Sequence, residues 1–439
     1  MAQEAHEASF NPSLPLSAVM LALAIAGPLT LTLTQSVQAQ SYNVIHNFTG
    51  GLDGGHPRAG LTMDQAGNLY GTAHGGGITG GICGDYGCGA VFKLARKGSG
   101  WITVPLYNFA GGDDGSRPFM GVTIGADGSL YGTTYEGGEG KCSNCGTVFN
   151  LKPPPNRPPT PLSPWMETVL YRFMGEDGQQ PEGSALIFDK TGNLYGTTSQ
   201  GGTYGLGTVY ELSPSNGSWT ESVLWNFGPS TQDGTNPRGG VVFDKTGNLY
   251  GTTWDSFYQK PEGTGGIVFQ LTPSGSGWTE NIIYRFTRGL DGGAVWAGLI
   301  FDPSGNLYGG TTWEGAGGGG TVFEMTPSGD NWTFTPLYGL SGGTECGVYG
   351  DLVMDQAGNL YGTTLCDGAY GLGSVFKLTP SNGGWTYTSL HDFTGGSDGA
   401  NASCNLVFDG AGNLYGTAVA GGTGSNCTGG CGVVFEITP

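Results

Sequence analysis

Charge is scarce in this chain, and positive charge scarcer. Of 439 residues only 16 are lysine or arginine, against 35 aspartate or glutamate, for a formal net charge of −19. A chain so acidic is repelled by nucleic-acid phosphates and by anionic membrane surfaces, so neither is expected as a partner. Beyond residue 39 no stretch approaches the ~18 apolar residues of a membrane-spanning helix. Histidine is rare, at 5 residues. No Gly-x-x-x-x-Gly-Lys-Ser/Thr phosphate loop occurs, so that familiar route to catalysis leaves no mark. The 87 glycines follow no Gly-X-Y period, which excludes collagen. With 11% aromatic and 12% charged residues, the composition is not that of a disordered chain.

What the chain has is repetition. The phrase Gly-Asn-Leu-Tyr-Gly-Thr-Thr, or a near copy, recurs with its tyrosine at Tyr70, Tyr131, Tyr195, Tyr250, Tyr308, Tyr361 and Tyr415, at spacings of 61, 64, 55, 58, 53 and 54 residues. A period of this kind marks a repeat architecture. Each unit carries four short strand-like runs, A to D, separated by turn signals. In the fifth they are 298–302, 306–312, 321–325 and 332–340. The A–B link is an Asp-x-x-Gly-Asn type turn suited to a hairpin, and the C–D link is a Thr-Pro-Ser-x-Gly turn. Runs A, B and C are apolar on successive residues, as strands covered on both faces are.

Runs A, B and C occur seven times, but D follows C only six times. The missing D stands at the other end, where Ser41 to Phe48 (SYNVIHNF) matches the other D runs. The expected fold is therefore all-β: a seven-bladed β-propeller of four-stranded antiparallel blades, closed by the N-terminal strand completing the last blade. Strand A is expected innermost, because D–A is the longest regular link and suits a blade-to-blade crossing. The alternatives are a phase with D innermost, giving intact blades without an interlock, and an open solenoid, which needs polar capping repeats. Trp101, Trp165, Trp219, Trp278, Trp332 and Trp385 occupy one slot in the D runs, with Gln40 in the seventh, and are expected to be scaffold. In the second unit a proline tract, 152–165, stretches the C–D link and reads as an extended protrusion.

Residues 1–39 hold an apolar run from Leu16 to about Leu33 and then Val37-Gln38-Ala39, small residues at the places a secretory cleavage site requires. We expect a signal peptide cleaved after Ala39, or an N-terminal anchor, followed by a single propeller domain over 40–439. The product is expected to be secreted or held at the cell surface, and monomeric. Nine cysteines fit export: the close pairs Cys83/Cys88, Cys142/Cys145 and Cys427/Cys431 read as local disulfides, while Cys346, Cys366 and Cys404 stand apart.

This repeat pattern, from about Ser41 to Pro439, resembles the GloVer tandem-repeat family of exported bacterial proteins. The A–B portion, GVVFDKTGNLYGTT at 240–253, is also similar to NHL-type propeller repeats. The resemblance implies a propeller with A as the inner strand and carries no catalytic residues with it.

Antiparallel order places the B–C and D–A links on one face, which collects the variable sequence. Loops on a rigid scaffold are where binding usually resides. Two constellations stand out there. Asp53, Asp114, Asp177, Asp233, Asp291 and Asp398 recur as Asp-Gly in the D–A links; a ring of carboxylates facing a central channel would suit Ca²⁺, while Asp-Gly is also ordinary turn chemistry. Tyr135-Glu136, Trp254-Asp255 and Trp313-Glu314 open B–C links with an aromatic followed by an acid. Aromatic faces stack on sugars and carboxylates accept hydroxyl hydrogen bonds, so these suit a glycan; the plainer reading is packing between loops. His56 and His74 fall near Asp53 and would suit a metal or acid–base site. The leading expectation is a binding or interaction module for a glycan or a cell-surface protein. The alternative is a secreted polysaccharide hydrolase or lyase using carboxylates of the loop face.

Overall fold

The structure, a computed structural model, describes residues 40–438 apart from 139–141, 143, 155–164, 184, 229–232, 257–264, 276 and 330. Residues 1–39, where a signal peptide or anchor is expected, and most of the proline tract lie outside the described residues. Each repeat becomes one antiparallel sheet in the order A-B-C-D. In blade 1 these are Thr62–Met63, Leu69–Ala73, Ala90–Lys97 and Gly100–Asn108. In blade 7 strands A, B and C are Val407–Phe408, Leu414–Ala418 and Val433–Thr438, and the fourth is Ser41–Asn47. Ser41 pairs with Thr438 and Asn47 with Val433, so the N-terminal strand closes the ring on the C-terminal one. Phe48 N–H continues the ladder to the Gly432 carbonyl at 3.1 Å.

The repeated phrase explains itself in this setting. The Leu-Tyr-Gly-Thr-Ala run of blade 1 is buried throughout, as a strand covered on both faces must be. Its glycine makes room for an aromatic ring: a Cβ on Gly71 would lie 2.7 Å from Cζ of Phe92, its partner on strand C. The next residue ties blades together. Thr72, Thr133, Thr197, Thr252, Thr363 and Thr417 donate their hydroxyls to backbone carbonyls of the following blade, at 2.8 to 3.1 Å. In blade 5 Gly310 stands instead, and Val348 of blade 6 fills the space, 2.5 Å from where a Cβ would be. These contacts join strand B to the approach to the next A strand, which places A at the channel.

The tryptophan slot is also an inter-blade contact. Trp165 packs edge-on against Tyr70 of the preceding blade, with centroids 6.3 Å apart, and Trp332 against Tyr250 at 5.8 Å. The core consequently lies between blades. Phe48, Leu61, Leu69, Phe92 and Val434 form one cluster drawn from blades 7 and 1.

The structure corrects the strand limits. Strand A shrinks to two residues, as Ile300–Phe301. The Thr-Pro-Ser segment belongs to strand C rather than to the turn, as in Ile267–Ser274, where Pro273 pairs with Trp278. Strand B ends its pairing at Leu271, so beyond it C is an edge on that side, and a proline lacking its N–H leaves no ladder bond unmade.

Candidate binding site at the channel mouth

The D–A link builds the site from a fixed series of local interactions. The Asp of Asp-Gly turns its carboxylate back onto the end of strand D. Asp53 accepts Thr49 N–H at 3.0 Å, Asp114 accepts Ala110 N–H at 2.9 Å, and Asp398 accepts Thr394 N–H at 2.9 Å. Asp291, Asp177 and Asp233 make the same closure with Thr287, Met174 and Gly228. The glycine that follows is obligatory: a Cβ on Gly54 would sit 2.3 Å from that of Ala73, and φ there is +91°.

Two residues on, the backbone enters the left-handed region at His56, Arg117, Gln180, Asn236, Ala294 and Asn401, with φ of 53 to 57°. Such residues persist only where their surroundings hold them. Here each N–H donates to a carbonyl in the B–C loop of the preceding blade. His56 bonds to Cys431, Arg117 to Cys88 and Gln180 to Cys145, at 2.7 to 2.8 Å. Those three acceptors belong to disulfides, Cys427–Cys431, Cys83–Cys88 and Cys142–Cys145. The local staples expected from sequence thus hold the carbonyls that clamp the neighbouring link. A fourth disulfide joins Cys346 to Cys366, and Cys404 is a free, buried thiol.

After this clamp, the fifth residue from each aspartate reaches the channel mouth: Arg58, Phe119, Glu182, Arg238, Trp296 and Ser403, with Tyr349 in the sixth blade. A second tier comes from the first residues of the B–C links. His74 N–H donates to the His56 carbonyl at 3.3 Å, Tyr135 N–H to Arg117 at 3.1 Å and Trp254 N–H to Asn236 at 3.0 Å. Leu365 and Val419 occupy the same place in blades 6 and 7. Arg58, Phe119, Trp296, Tyr349, Leu365 and Val419 line a cavity of about 350 Å³. Its ring crosses the channel: Phe119 of blade 2 lies 6.3 Å from Trp296 of blade 5, which in turn lies 5.2 Å from Tyr349.

Arginines thread through these aromatics. Arg238 sits over Trp296 at 4.1 Å and Trp254 at 5.1 Å, with its Nε 3.5 Å from Glu182. Arg117 bonds to Glu136 at 2.8 Å and covers Tyr86 at 5.6 Å. Arg58 lies over Phe119 at 5.3 Å, close enough to Tyr86 to act on its hydroxyl. His56 stacks on Tyr86 with centroids 5.1 Å apart, its Nδ1 3.2 Å from the Val419 carbonyl. Burial, reinforced by Arg58 and Arg117, pushes His74 down to about 3, and burial lowers His56 as well, so both rings are neutral at neutral pH. Burial raises the Glu182 carboxyl, against the pull of Arg238. The positive charge at the mouth therefore belongs to arginine.

The residues singled out from sequence divide accordingly. Tyr135 and Trp254 stand in the second tier and Glu136 holds Arg117. Asp255 instead caps Ser256 N–H at 2.8 Å. Trp313 is shifted one place by the extra Gly310; it packs against Trp254 at 5.4 Å under Arg288 at 4.6 Å, and Glu314, next in the chain, is half-buried with φ of 57°. The Asp ring expected to face the channel is engaged by its own turns, and no group of three or more metal-ligating side chains occurs among the described residues. His56 and His74 do come together, on either side of Tyr86, with ring distances of 5.1 and 5.6 Å. Sequence reasoning passed over Arg58, Phe119, Glu182, Arg238, Trp296 and Tyr349. The signal was available: within a link whose Asp-Gly is nearly constant, the fifth column changes its chemistry from blade to blade.

The Gloeobacter/Verrucomicrobia repeat model matches residues 31–160, 160–260 and 256–439, and the chain belongs to that family. No curated protein matches it in sequence. Among solved structures it is similar to an ulvan lyase, a polysaccharide lyase bound to -[GlcA(1-4)Rha3S]-, at 10% identity, TM-score 0.51, covering 86% of this chain and 93% of that one. It is also similar to the aldose sugar dehydrogenase of Streptomyces coelicolor in its PQQ-bound form, at 12% identity, TM-score 0.45, over 91% and 98% of the two chains. A 6-phosphogluconolactonase-like protein from Bacteroides uniformis shares 14% identity at TM-score 0.45, over 75% and 83%. At these identities the likeness is one of fold.

Proposed function

We propose that this member of the Gloeobacter/Verrucomicrobia repeat family is an exported saccharide-binding propeller whose ligand occupies the channel mouth. The observation that carries the reading is the variable column itself. Equivalent positions of the D–A links, six of them set by the same Asp-Gly turn, deliver Arg58, Phe119, Trp296, Tyr349 and Ser403 to a cavity of about 350 Å³. That volume lies within the ~300–1,000 Å³ usual for small-ligand sites. Phe119, Trp296 and Tyr349 offer aromatic faces to the apolar faces of pyranose rings, and Arg58 and Asn401 offer hydrogen bonds to hydroxyls. Export is supported by the leader sequence and by four disulfides, which persist in oxidising compartments.

The test is retention on a panel of immobilised polysaccharides, scored together with release of new reducing ends or unsaturated products. The mature chain should be retained by at least one polysaccharide without releasing product. Trp296→Ala should weaken that retention by at least tenfold, the effect of removing a stacked aromatic anchor worth roughly 2 kcal/mol or more. Product release would replace the binding reading with a catalytic one. Retention by none, or retention that ignores Trp296, would remove the site from consideration.

A further inference from the structure

The mouth is not chemically even. Among the residues that line the cavity Arg58, from blade 1, is the charged one, and Arg117, Glu182 and Arg238 are contributed around it by blades 2 to 4. Blades 5 to 7 contribute Trp296, Tyr349, Leu365, Ser403 and Val419, none of them charged at neutral pH. Such a two-sided pocket fits a ligand with an ionic group on one side and a flat apolar face on the other. In a chain with 35 acidic and 16 basic residues, three arginines at one opening run against the overall balance. Each is arginine rather than lysine, and arginine presents the planar fork that binds a carboxylate or sulfate through two hydrogen bonds.

Two of the three already have an acid. Arg117 is satisfied by Glu136 at 2.8 Å and Arg238 by Glu182 at 3.5 Å. Arg58 forms no salt bridge among the described residues; it lies over the Phe119 ring and near the Tyr86 hydroxyl, and the charge of Glu182, which is paired with Arg238, also reaches it. It lines the cavity directly, as do Trp296 and Tyr349 from the opposite side.

We infer that the saccharide is an acidic one, with a carboxylate or sulfate received by Arg58 and a sugar face laid on Trp296 and Tyr349. This rests on the saccharide reading above and narrows it to a ligand class. In a chain of net charge −19, a guanidinium left without an acid partner among the described residues favours an anionic ligand at this cavity over the rest of the molecule.

The experiment is titration calorimetry on the mature chain. Oligosaccharides of galacturonate, mannuronate and glucuronate are each compared with their carboxyl-reduced counterparts, and a sulfated oligosaccharide with its desulfated form. At least one acidic ligand should bind tenfold or more tightly than its neutral partner, with affinity falling as salt is raised. Whether the carboxylate or the sulfate series shows this preference identifies the source of the charge. Arg58→Gln should abolish the preference, bringing the acidic ligand's affinity down to that of its neutral partner, and Arg58→Lys should restore it in part. Unaltered thermal melting of both variants confirms that the fold is intact. Equal binding of acidic and neutral partners would overturn the acidic-ligand inference and leave the saccharide reading standing. Failure of every oligosaccharide, charged or neutral, would overturn both.

Discussion

Tyr210 stands where the other blades have phenylalanine: Phe92, Phe149, Phe269, Phe323, Phe376 and Phe435. Each of these rings lies over the glycine of its blade's strand B, and a Cβ on Gly196 would meet the Tyr210 hydroxyl at 2.6 Å. The ring is fully buried, and its hydroxyl has no hydrogen-bond partner among the described residues. A buried hydroxyl left without a partner costs about 1–3 kcal/mol, whereas the ring itself is what the site needs. Tyr210→Phe is therefore expected to stabilise the domain by about 1 kcal/mol, read as a higher urea midpoint at unchanged slope. A lower midpoint would mean that the hydroxyl is satisfied after all. The column was legible in the sequence as a run of aromatics. The crowding over glycine was not, because the contact is made across two strands whose register the turn alone fixes.

Neighbouring D strands meet edge to edge, and the chemistry of that seam changes around the ring. Between blades 4 and 5 Tyr284 stacks on Phe334 with centroids 4.3 Å apart, and between blades 5 and 6 Tyr338 stacks on Tyr387 at 4.7 Å. In the first three seams the equivalent place is held by Glu167, Glu221 and Glu280, facing Asp114, Asp177 and Asp233 of the preceding blade. Burial first, and the facing aspartate second, push Glu167 up to about 7 and Glu221 and Glu280 up to about 8. Arg172 and Arg285 oppose the rise at Glu167 and Glu280. The Asp-Gly column was legible as turn chemistry. Its second duty was not, since the facing glutamate belongs to another blade and no local spacing announces it. In the unfolded chain these glutamates lose their protons near 4.5, so the folded state binds the extra protons. Their contribution is complete below that value and is lost as pH rises through 7 to 8. Depressed His56 and His74 act in the opposite sense only below about 6.5, where the unfolded rings charge. Between pH 6.5 and 8.5 the glutamates decide the sign, and the urea midpoint should fall. Glu280→Gln should flatten that fall and sit above the parent at pH 8.5. A parent profile that is level or rising across this window would show that the seams do not hold these protons.

The whole ring depends on a strand contributed from the opposite end of the chain. Closure was legible by counting: seven A, B and C runs but only six D runs after them leave one place to fill, and Ser41 to Phe48 has the right alternation. The unevenness of the mouth was not legible, because hydrophobic period locates strands but gives no direction to a variable residue in a link. Once closed, the first strand touches three blades. Tyr42 stacks on His391 of blade 6 at 3.6 Å, the ladder runs from Ser41↔Thr438 to Asn47↔Val433 in blade 7, and Phe48 packs on Phe92 of blade 1 at 5.0 Å. Phe48 alone, fully buried, accounts for about 1.5–3 kcal/mol. Removing it together with the ladder would also leave Val433–Thr438 as an open edge, which invites pairing with other chains. A chain of residues 40–439 lacking residues 41–48 is therefore expected to lose more than about 5 kcal/mol, beyond the range of ordinary single substitutions, and to associate. Urea unfolding and light scattering read the two effects, and a synthetic peptide of residues 40–48 added in trans should recover part of the loss by mass action. A truncated chain that unfolds at the parent's midpoint, or one that the peptide leaves unchanged, would show that the blades cohere without the closing strand. The threonine bonds between strand B and the following blade would then be the connection that holds the ring.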